Sequence, residues 1–291
     1  MTLSIRREKR KARHYLEDLG NNVVLDMVLI PAGSFLMGSP EDESERYDDE
    51  SPQHSVTVSS FFMGKYPITQ AQWRIVAGFE QANRLLDPDP SGFKGDDRPV
   101  ENVSWHDAVE FCERLSRFIE GRLAQQTKRK YRLPSESEWE YACRAGTTTP
   151  FYFGKTITPD LANYDWDKSY GETQITKQKD FKGTTPVGQF RLANGFGLYD
   201  MHGNVWEWCQ DHWHGNYEGA PNTSGGAKPC DGSAWVAPDA DENADRVLRG
   251  GSWICYPWLC RSATRLNNVA GLRDNYISFG FRVVCSAPRT L

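Results

Sequence analysis

A stretch of high aromatic density, residues 196–213 (FGLYDMHGNVWEWCQDHW), constrains the fold of this chain more than any other feature. It contains three tryptophans, a Gly203–Asn204 turn and, between two of the tryptophans, Glu207 in apolar surroundings. No helical or strand period accounts for this pattern, so we expect irregular backbone fixed by large aromatic side chains. A buried Glu207 requires an arginine, backbone amides or a cation as its partner, because an uncompensated charge in a core is unfavourable.

The composition favours one loop-rich domain whose core is built from few, large side chains. Only 38% of the 291 residues are hydrophobic, but they include ten Trp, twelve Tyr and fourteen Phe, and the 25 Gly and 16 Pro indicate many turns. The formal charge of −5 leaves no overall positive field to recruit phosphate, so nucleic-acid binding is not expected. No apolar run approaches the roughly 18 residues of a membrane span.

The cysteines and the N-terminus indicate a cellular compartment. Seven cysteines are scattered along the chain without a CxxC pair or the spacing of a zinc site. The basic N-terminus is not followed by the apolar segment of a secretory signal. Together these features predict a reduced, cytoplasmic protein.

Capping signals and hydrophobic periodicity predict a small number of regular elements. Residues 1–22 are expected to form a basic arm, either a surface helix or a docking arm for a partner. Strands are predicted within residues 23–39, 55–69, 246–253 and 279–284. Helix starts are predicted at Thr69 (with Gln72), Ser104 and Ser135 (with Glu138). Between residues 146 and 245 the helical period disappears, and an extended loop region is expected, with the acidic stretch 41–50 as a second, solvated loop.

A series of motifs in a fixed order carries a family resemblance. The chain contains PAGSFLMGS, YPITQAQW, PVENVSWHDAVEFC, YRLPSESEWEYACRAG, NGFGLYDMHGNVWEW, RVLRGGSW, CRSATR and GFRVV. This order, over residues 23–285, resembles the formylglycine-generating (sulfatase-modifying factor) family. The resemblance implies an α+β fold of the C-type-lectin type, with a small twisted antiparallel sheet, a few flanking helices and much irregular but rigid structure. It implies one such domain over residues 23–291.

The resemblance offers an enzymatic interpretation through two cysteines. Enzymatic members oxidise a substrate cysteine to formylglycine with O2 and a copper(I) ion held by two thiolates, which are soft ligands suited to Cu(I). Cys255 and Cys260 have the matching separation. However, Cys260 runs directly into the segment 261–265, which resembles a later part of these enzymes. On that alignment Cys260 is structural and the second copper ligand is missing.

The segment 254–278 also resembles the variable proteins of diversity-generating retroelements, which use the same fold. Residues that look fixed alternate here with aromatic, aliphatic and asparagine residues, and no period explains the mixture. Aromatic side chains on a rigid surface supply contact area at low entropic cost. The resemblance predicts a non-catalytic protein that binds a protein or peptide ligand through Ile254, Cys255, Tyr256, Trp258, Leu259, Thr264, Leu266, Asn267, Val269, Leu272, Asp274, Tyr276 and Ser278. The alternative is an ordinary loop with some of these residues buried.

The family further implies structural calcium ions in its loops. Asn204, Val205 and Glu207 match one calcium-binding loop, for which an ion pair of Glu207 with Arg249 or Arg282 is the alternative. Asn163, Tyr164 and Asp165 resemble the start of a second loop. Hard oxygen ligands of this kind suit calcium.

Overall fold

The computed structural model describes residues 8–9, 11–122, 129–171, 182–219, 231–237, 239–274 and 278–287. Its strands are β1 (His14–Gly20), β2 (Val23–Ile30), β3 (Gly33–Met37), β4 (His54–Val58), β5 (Phe61–Gly64), β6 (Tyr131–Arg132), β7 (Trp206–His212), β8 (Asp245–Arg249), β9 (Arg265–Val269), β10 (Phe279–Gly280) and β11 (Val284–Ser286). Its helices are α1 (Gln70–Ala77), α2 (Trp105–Arg122) and α3 (Glu136–Arg144).

The described strands form three sheets. A five-stranded sheet has the order β1-β2-β5-β11-β6, a four-stranded sheet has the order β10-β7-β8-β9, and β3 pairs with β4 alone. The pairs are antiparallel except β10 with β7. In the first sheet β11 pairs with β5, with Val284 opposite Met63, so the two ends of the chain meet in one sheet. Small sheets, three flanking helices and long irregular segments give the α+β architecture expected from the sequence.

The three helices begin where the capping signals predict. Thr69 with Gln72 and Ser135 with Glu138 form reciprocal capping boxes at α1 and α3. At α2 the Ser104 Oγ accepts from the backbone N–H of Asp107 at 3.1 Å, and the Asp107 carboxylate accepts from the N–H of Ser104 at 3.0 Å. These local signals are confirmed because a cap needs only neighbouring residues.

The N-terminal arm predicted over residues 1–22 is wrong for its second half. Residues 14–20 form β1, which pairs with β2 and buries Leu19 at 1% exposure. Asn21 and Asn22 both adopt positive φ, 53° and 61°, the geometry of a tight hairpin turn. Residues 1–7 and residue 10 lie outside the described chain.

The expectation of irregular backbone over 196–213 is wrong for β7. This strand lies between β10 and β8, and all its residues except Gln210 are buried. A strand buried on both faces loses the polar–apolar alternation by which strands are recognised. The segment 254–278 likewise contains the strand β9, on the edge of the same sheet.

Two hydrophobic clusters form the core. Trp73, Trp206 and Trp208 belong to one, and Trp139 belongs to the other, all four with at most 2% exposure. No helix in the described residues is both long enough and apolar enough to cross a membrane.

Candidate binding surface

A short exposed turn carries two adjacent aromatic rings. Residues 257–260 form a 3-10 turn, and we call residues 254–260 the aromatic turn. Tyr256 is 39% exposed and Trp258 is half-buried, with their ring centroids 4.7 Å apart at an interplanar angle of 34°. The Lys168 Nζ lies 5.9 Å from the centroid of the Tyr256 ring.

The buried side chain of Arg261 fixes the backbone of the aromatic turn by hydrogen bonds. Its Nε donates to the carbonyl of Trp258 at 3.0 Å, and its Nη2 donates to the carbonyl of Glu45 at 2.8 Å. The guanidinium is fully buried and its charge is compensated by Glu43 at 2.6 Å and Glu50 at 2.5 Å. Because a buried, fully compensated guanidinium has fixed geometry, it fixes the position of the Trp258 carbonyl.

Two further buried arginines hold the segment that follows the turn. Arg249 donates to the carbonyls of Ser262 at 2.6 Å and Ala263 at 3.0 Å, and it pairs with Glu140 at 2.5 Å. Arg265, at the start of β9, pairs with Glu136 at 2.6 Å. Residues 260–265 are therefore a buried frame for the surface on either side of them.

His202 supports the same frame as a neutral ring. The carbonyl of Cys260 lies 2.7 Å from Nδ1, and the backbone N–H of Tyr152 donates to Nε2 at 3.0 Å. These partners assign the proton to Nδ1. Burial lowers the pKa of His202 from 6.5 to about 3, so the ring is uncharged at neutral pH.

Most of the residues predicted to bind a ligand reach the surface, in two groups. The first lies on the aromatic turn, and the second lies on β9 and the turn after it. Val269 is 46% exposed, and the others except Tyr256 are half-buried. The two groups are Ile254, Tyr256, Trp258 and Leu259, and Leu266, Asn267, Val269, Leu272 and Asp274.

Three of the predicted binding residues are buried, and for them the prediction is wrong. Cys255 is 6% exposed, and Thr264 and Ser278 are 0% exposed. The Thr264 hydroxyl donates to the Trp258 carbonyl at 2.9 Å, and the Ser278 hydroxyl accepts from the indole N–H of Trp253 at 2.9 Å. The hydroxyls of Thr264 and Ser278 therefore make hydrogen bonds within the buried part of the protein. Tyr276 lies outside the described residues.

The two cysteines of the copper interpretation are both buried. The Trp206 indole N–H donates to the sulfur of Cys255 at 3.2 Å, and the Ser252 Oγ lies 3.3 Å from it. Burial raises the pKa of Cys255, which keeps the thiol protonated at neutral pH. The sulfur of Cys260 packs against Gly251, where an added Cβ would lie 2.5 Å from it. Two thiols suit Cu(I) chemically, but the ion would have to displace the Cys255 proton.

The calcium prediction around Glu207 does not fit the structure. Both carboxylate oxygens accept from Arg282, at 2.6 and 2.7 Å, and one also accepts from the Trp139 indole N–H at 2.7 Å. The arginine thus compensates the charge that calcium would have compensated. The Asn204 side-chain oxygen accepts from the backbone N–H of Thr185 at 2.8 Å. Asn204 and Val205 therefore belong to a structural turn, and Glu207, at the start of β7, belongs to a buried ion pair.

The second calcium loop keeps one unsatisfied acceptor. Among the described residues, the Asn163 Oδ1 is buried without a hydrogen-bond partner. The Tyr164 hydroxyl donates to the carbonyl of Ile157 at 3.3 Å, and the Asp165 carboxylate accepts from the N–H of Asp167 at 3.1 Å. Calcium at Asn163, Tyr164 and Asp165 stays a prediction.

Comparison with known proteins places this geometry in a family. A family model for the sulfatase-modifying factor enzyme 1-like domain matches residues 15–287. The chain belongs to the sulfatase-modifying factor family. Mouse formylglycine-generating enzyme is 30% identical, with alignment over 90% of this chain and 74% of the mouse protein.

Two solved structures extend the comparison of this family member. PvdO from Pseudomonas aeruginosa is 31% identical with a TM-score of 0.73, covering 96% of this chain and 100% of PvdO. Treponema denticola variable protein 1 is 26% identical with a TM-score of 0.70, covering 94% of this chain and 99% of the Treponema protein. The family and the C-type-lectin-like fold predicted from the sequence are confirmed, as is the likeness to a variable protein.

Two parts of the surface could not be predicted from any pattern in the sequence. Lys168 is distant from Tyr256 along the chain, and no local pattern links them. The stretch 41–50 was expected to be a solvated loop, but Glu43 and Glu50 are buried against Arg261. Their burial depends on contacts with residues more than 200 positions away, and no periodicity reports such contacts.

Proposed function

We propose that this protein is a non-catalytic protein that binds a protein or peptide ligand through a diversified surface. This surface consists of the aromatic turn and the edge strand β9. The single observation that carries the proposal is the Tyr256–Trp258 pair, one ring exposed and the other half-buried, on a backbone fixed by Arg261. The cytoplasmic location predicted from the sequence belongs to the same proposal.

The buried frame fixes the backbone and the accessible side chains form the surface, and this separation supports a binding function. The buried arginines contact main-chain carbonyls of the segment, so side chains at positions 256 and 258 can change without loss of those contacts. Rigid aromatic residues lose little conformational entropy on binding and dominate many interfaces. A fixed backbone with interchangeable exposed side chains is what a diversified binding surface requires.

The proposal is tested by selecting ligands for the immobilised protein from a displayed peptide library. Selected peptides should lose affinity by roughly tenfold or more in Tyr256→Ala and Trp258→Ala, because truncated aromatic anchors weaken interfaces by about that amount. Leu85→Ala is the matched control, since Leu85 is 81% exposed and lies outside the proposed surface. Equal loss in all three variants would contradict a role for the aromatic turn.

A copper-dependent formylglycine-generating oxidase is the second candidate. The identity with the mouse enzyme and the presence of Cys255 and Cys260 in one turn favour it. Titration of the reduced protein with Cu(I) separates the two functions. Tight stoichiometric binding that is lost in both Cys255→Ala and Cys260→Ala would favour the oxidase, and we expect no such binding.

A further inference from the structure

The acidic segment 41–50 lies directly beside Trp258. The guanidinium of Arg261 donates to the carbonyls of both Trp258, at 3.0 Å, and Glu45, at 2.8 Å, so the two backbones are neighbours. Arg261 also compensates the buried carboxylates of this segment. The carboxylates that remain exposed to solvent are those of Glu41, Asp42, Glu45 and Asp48.

A second acidic segment, residues 165–170, lies beside Tyr256. The backbone N–H of Asp165 donates to the carbonyl of Cys255 at 2.8 Å, immediately before Tyr256 in the chain. Asp165 is half-buried and Asp167 is exposed. The hydroxyl of Tyr170 donates to the carbonyl of Ser44 at 2.7 Å, which joins this segment to the first one. The aromatic pair therefore lies between two connected acidic segments.

Few cations in these two segments offset the carboxylates. Arg46 is half-buried, and its guanidinium donates to the hydroxyls of Ser39 and Ser51. Lys168 is exposed, with its ammonium 5.9 Å from the Tyr256 centroid. In the described parts of the two segments, the exposed carboxylates outnumber these two cations. The position of Lys168 also shows that the Tyr256 ring is open to a cation.

We infer that the ligand of the aromatic turn is a peptide segment rich in arginine and lysine. This inference rests on the proposed function and names its partner by chemistry. A guanidinium stacks on exposed aromatic faces and forms two parallel hydrogen bonds with a carboxylate, so one arginine can use both features of this surface. Complementary charge also accelerates encounter and disfavours acidic partners.

The test uses the peptide selection described above, with a library that is random at every position. Peptides that need Tyr256 or Trp258 should be enriched in arginine and lysine relative to the unselected library. Their affinity should fall roughly three- to tenfold in Glu45→Gln/Asp48→Asn, as for charges at an interface rim, and it should weaken as salt is raised. Glu80→Gln/Glu120→Gln removes two exposed carboxylates from α2 and the α1–α2 connection, and it should leave affinity unchanged.

The possible outcomes separate this inference from the proposed function. Peptides that depend on Tyr256 and Trp258 but show no excess of basic residues would overturn the inference and leave the proposed function standing. Equal effects of the two double variants would also overturn the inference. If no selected peptide depends on Tyr256 or Trp258, both proposals fail.

Discussion

Glu207 and Arg282 form a two-pronged ion pair in the core, with N–O distances of 2.6 and 2.7 Å and side chains that are 1% and 0% exposed. Glu207→Gln removes the negative charge and leaves the guanidinium buried without its counter-charge. We expect the free energy of unfolding to fall by about 3–5 kcal/mol, the usual effect of breaking a buried pair. Urea denaturation followed by tryptophan fluorescence measures it.

The control for this prediction is an exposed pair on the same protein. Arg74 and Asp96 lie 3.0 Å apart with side chains 46% and 72% exposed. Asp96→Asn should reduce the free energy of unfolding by less than about 1 kcal/mol. If the free energy of unfolding falls as little in Glu207→Gln as in Asp96→Asn, the buried pair is not needed for stability.

Gly251 should not tolerate a side chain. Its φ is +74°, and an added Cβ would lie 2.5 Å from the Cys260 sulfur and 2.9 Å from the Leu259 carbonyl. Gly251→Ala should therefore destabilise the fold by about 1–3 kcal/mol and displace the aromatic turn. Gly215→Ala is the matched control, because Gly215 has no positive φ and no atom within 4 Å of the added Cβ. Equal denaturation midpoints for the two variants would contradict the prediction.

His202 should make the protein sensitive to acid. Its pKa falls from 6.5 to about 3 in the fold because it is buried, so on acidification the unfolded chain binds this proton first. The contribution to stability is complete above pH 6.5 and is lost as the pH falls towards 3, by about 2 kcal/mol between pH 6.5 and 5.

The pH dependence is measured as the slope of unfolding free energy against pH in wild type and in His202→Gln. The variant should have the flatter slope, whatever its absolute stability. Asp200 has a pKa raised to about 6 by burial and so has the opposite effect, but it is present in both proteins. Identical slopes would mean that His202 is not the buried neutral ring described above.

The described cysteines should be unreactive in the native protein. Burial raises the pKa of Cys143 to about 12 and that of Cys285 to about 11, and it raises the pKa of Cys255 as well. Only the thiolate is nucleophilic. In Cys230→Ser, which removes the one cysteine outside the described residues, a thiol reagent should modify the remaining six only after unfolding. Fast native modification of Cys255 or Cys260 would instead favour the copper interpretation.

Elements that depend on neighbouring residues could be predicted from the sequence. Elements that depend on long-range contacts could not. The capping residues Thr69 and Ser135 were recognisable because a cap involves residues three positions apart. The strand β7 was not, since burial on both faces removed its alternation. The order of motifs identified the family, which supplied a fold that periodicity alone would not have given.

The same limit applies to the candidate surface. Tyr256 and Trp258 could be predicted to reach the surface from the resemblance, but Thr264 and Ser278 could not be distinguished from exposed polar residues. Their hydroxyls are satisfied by Trp258 and Trp253, contacts that depend on tertiary structure. Arg261 lies in the CRSATR motif that carries the family resemblance, but its acidic partners could not be recognised from the sequence.

Arg261 fixes the aromatic turn by a hydrogen bond to the main-chain carbonyl of Trp258, and every amino acid has such a carbonyl. A substitution at position 256 or 258 therefore leaves this hydrogen bond in place, but at position 258 it changes a half-buried side chain that packs against the core. The exposed ring at position 256 can therefore be exchanged at less cost to folding than the ring at position 258.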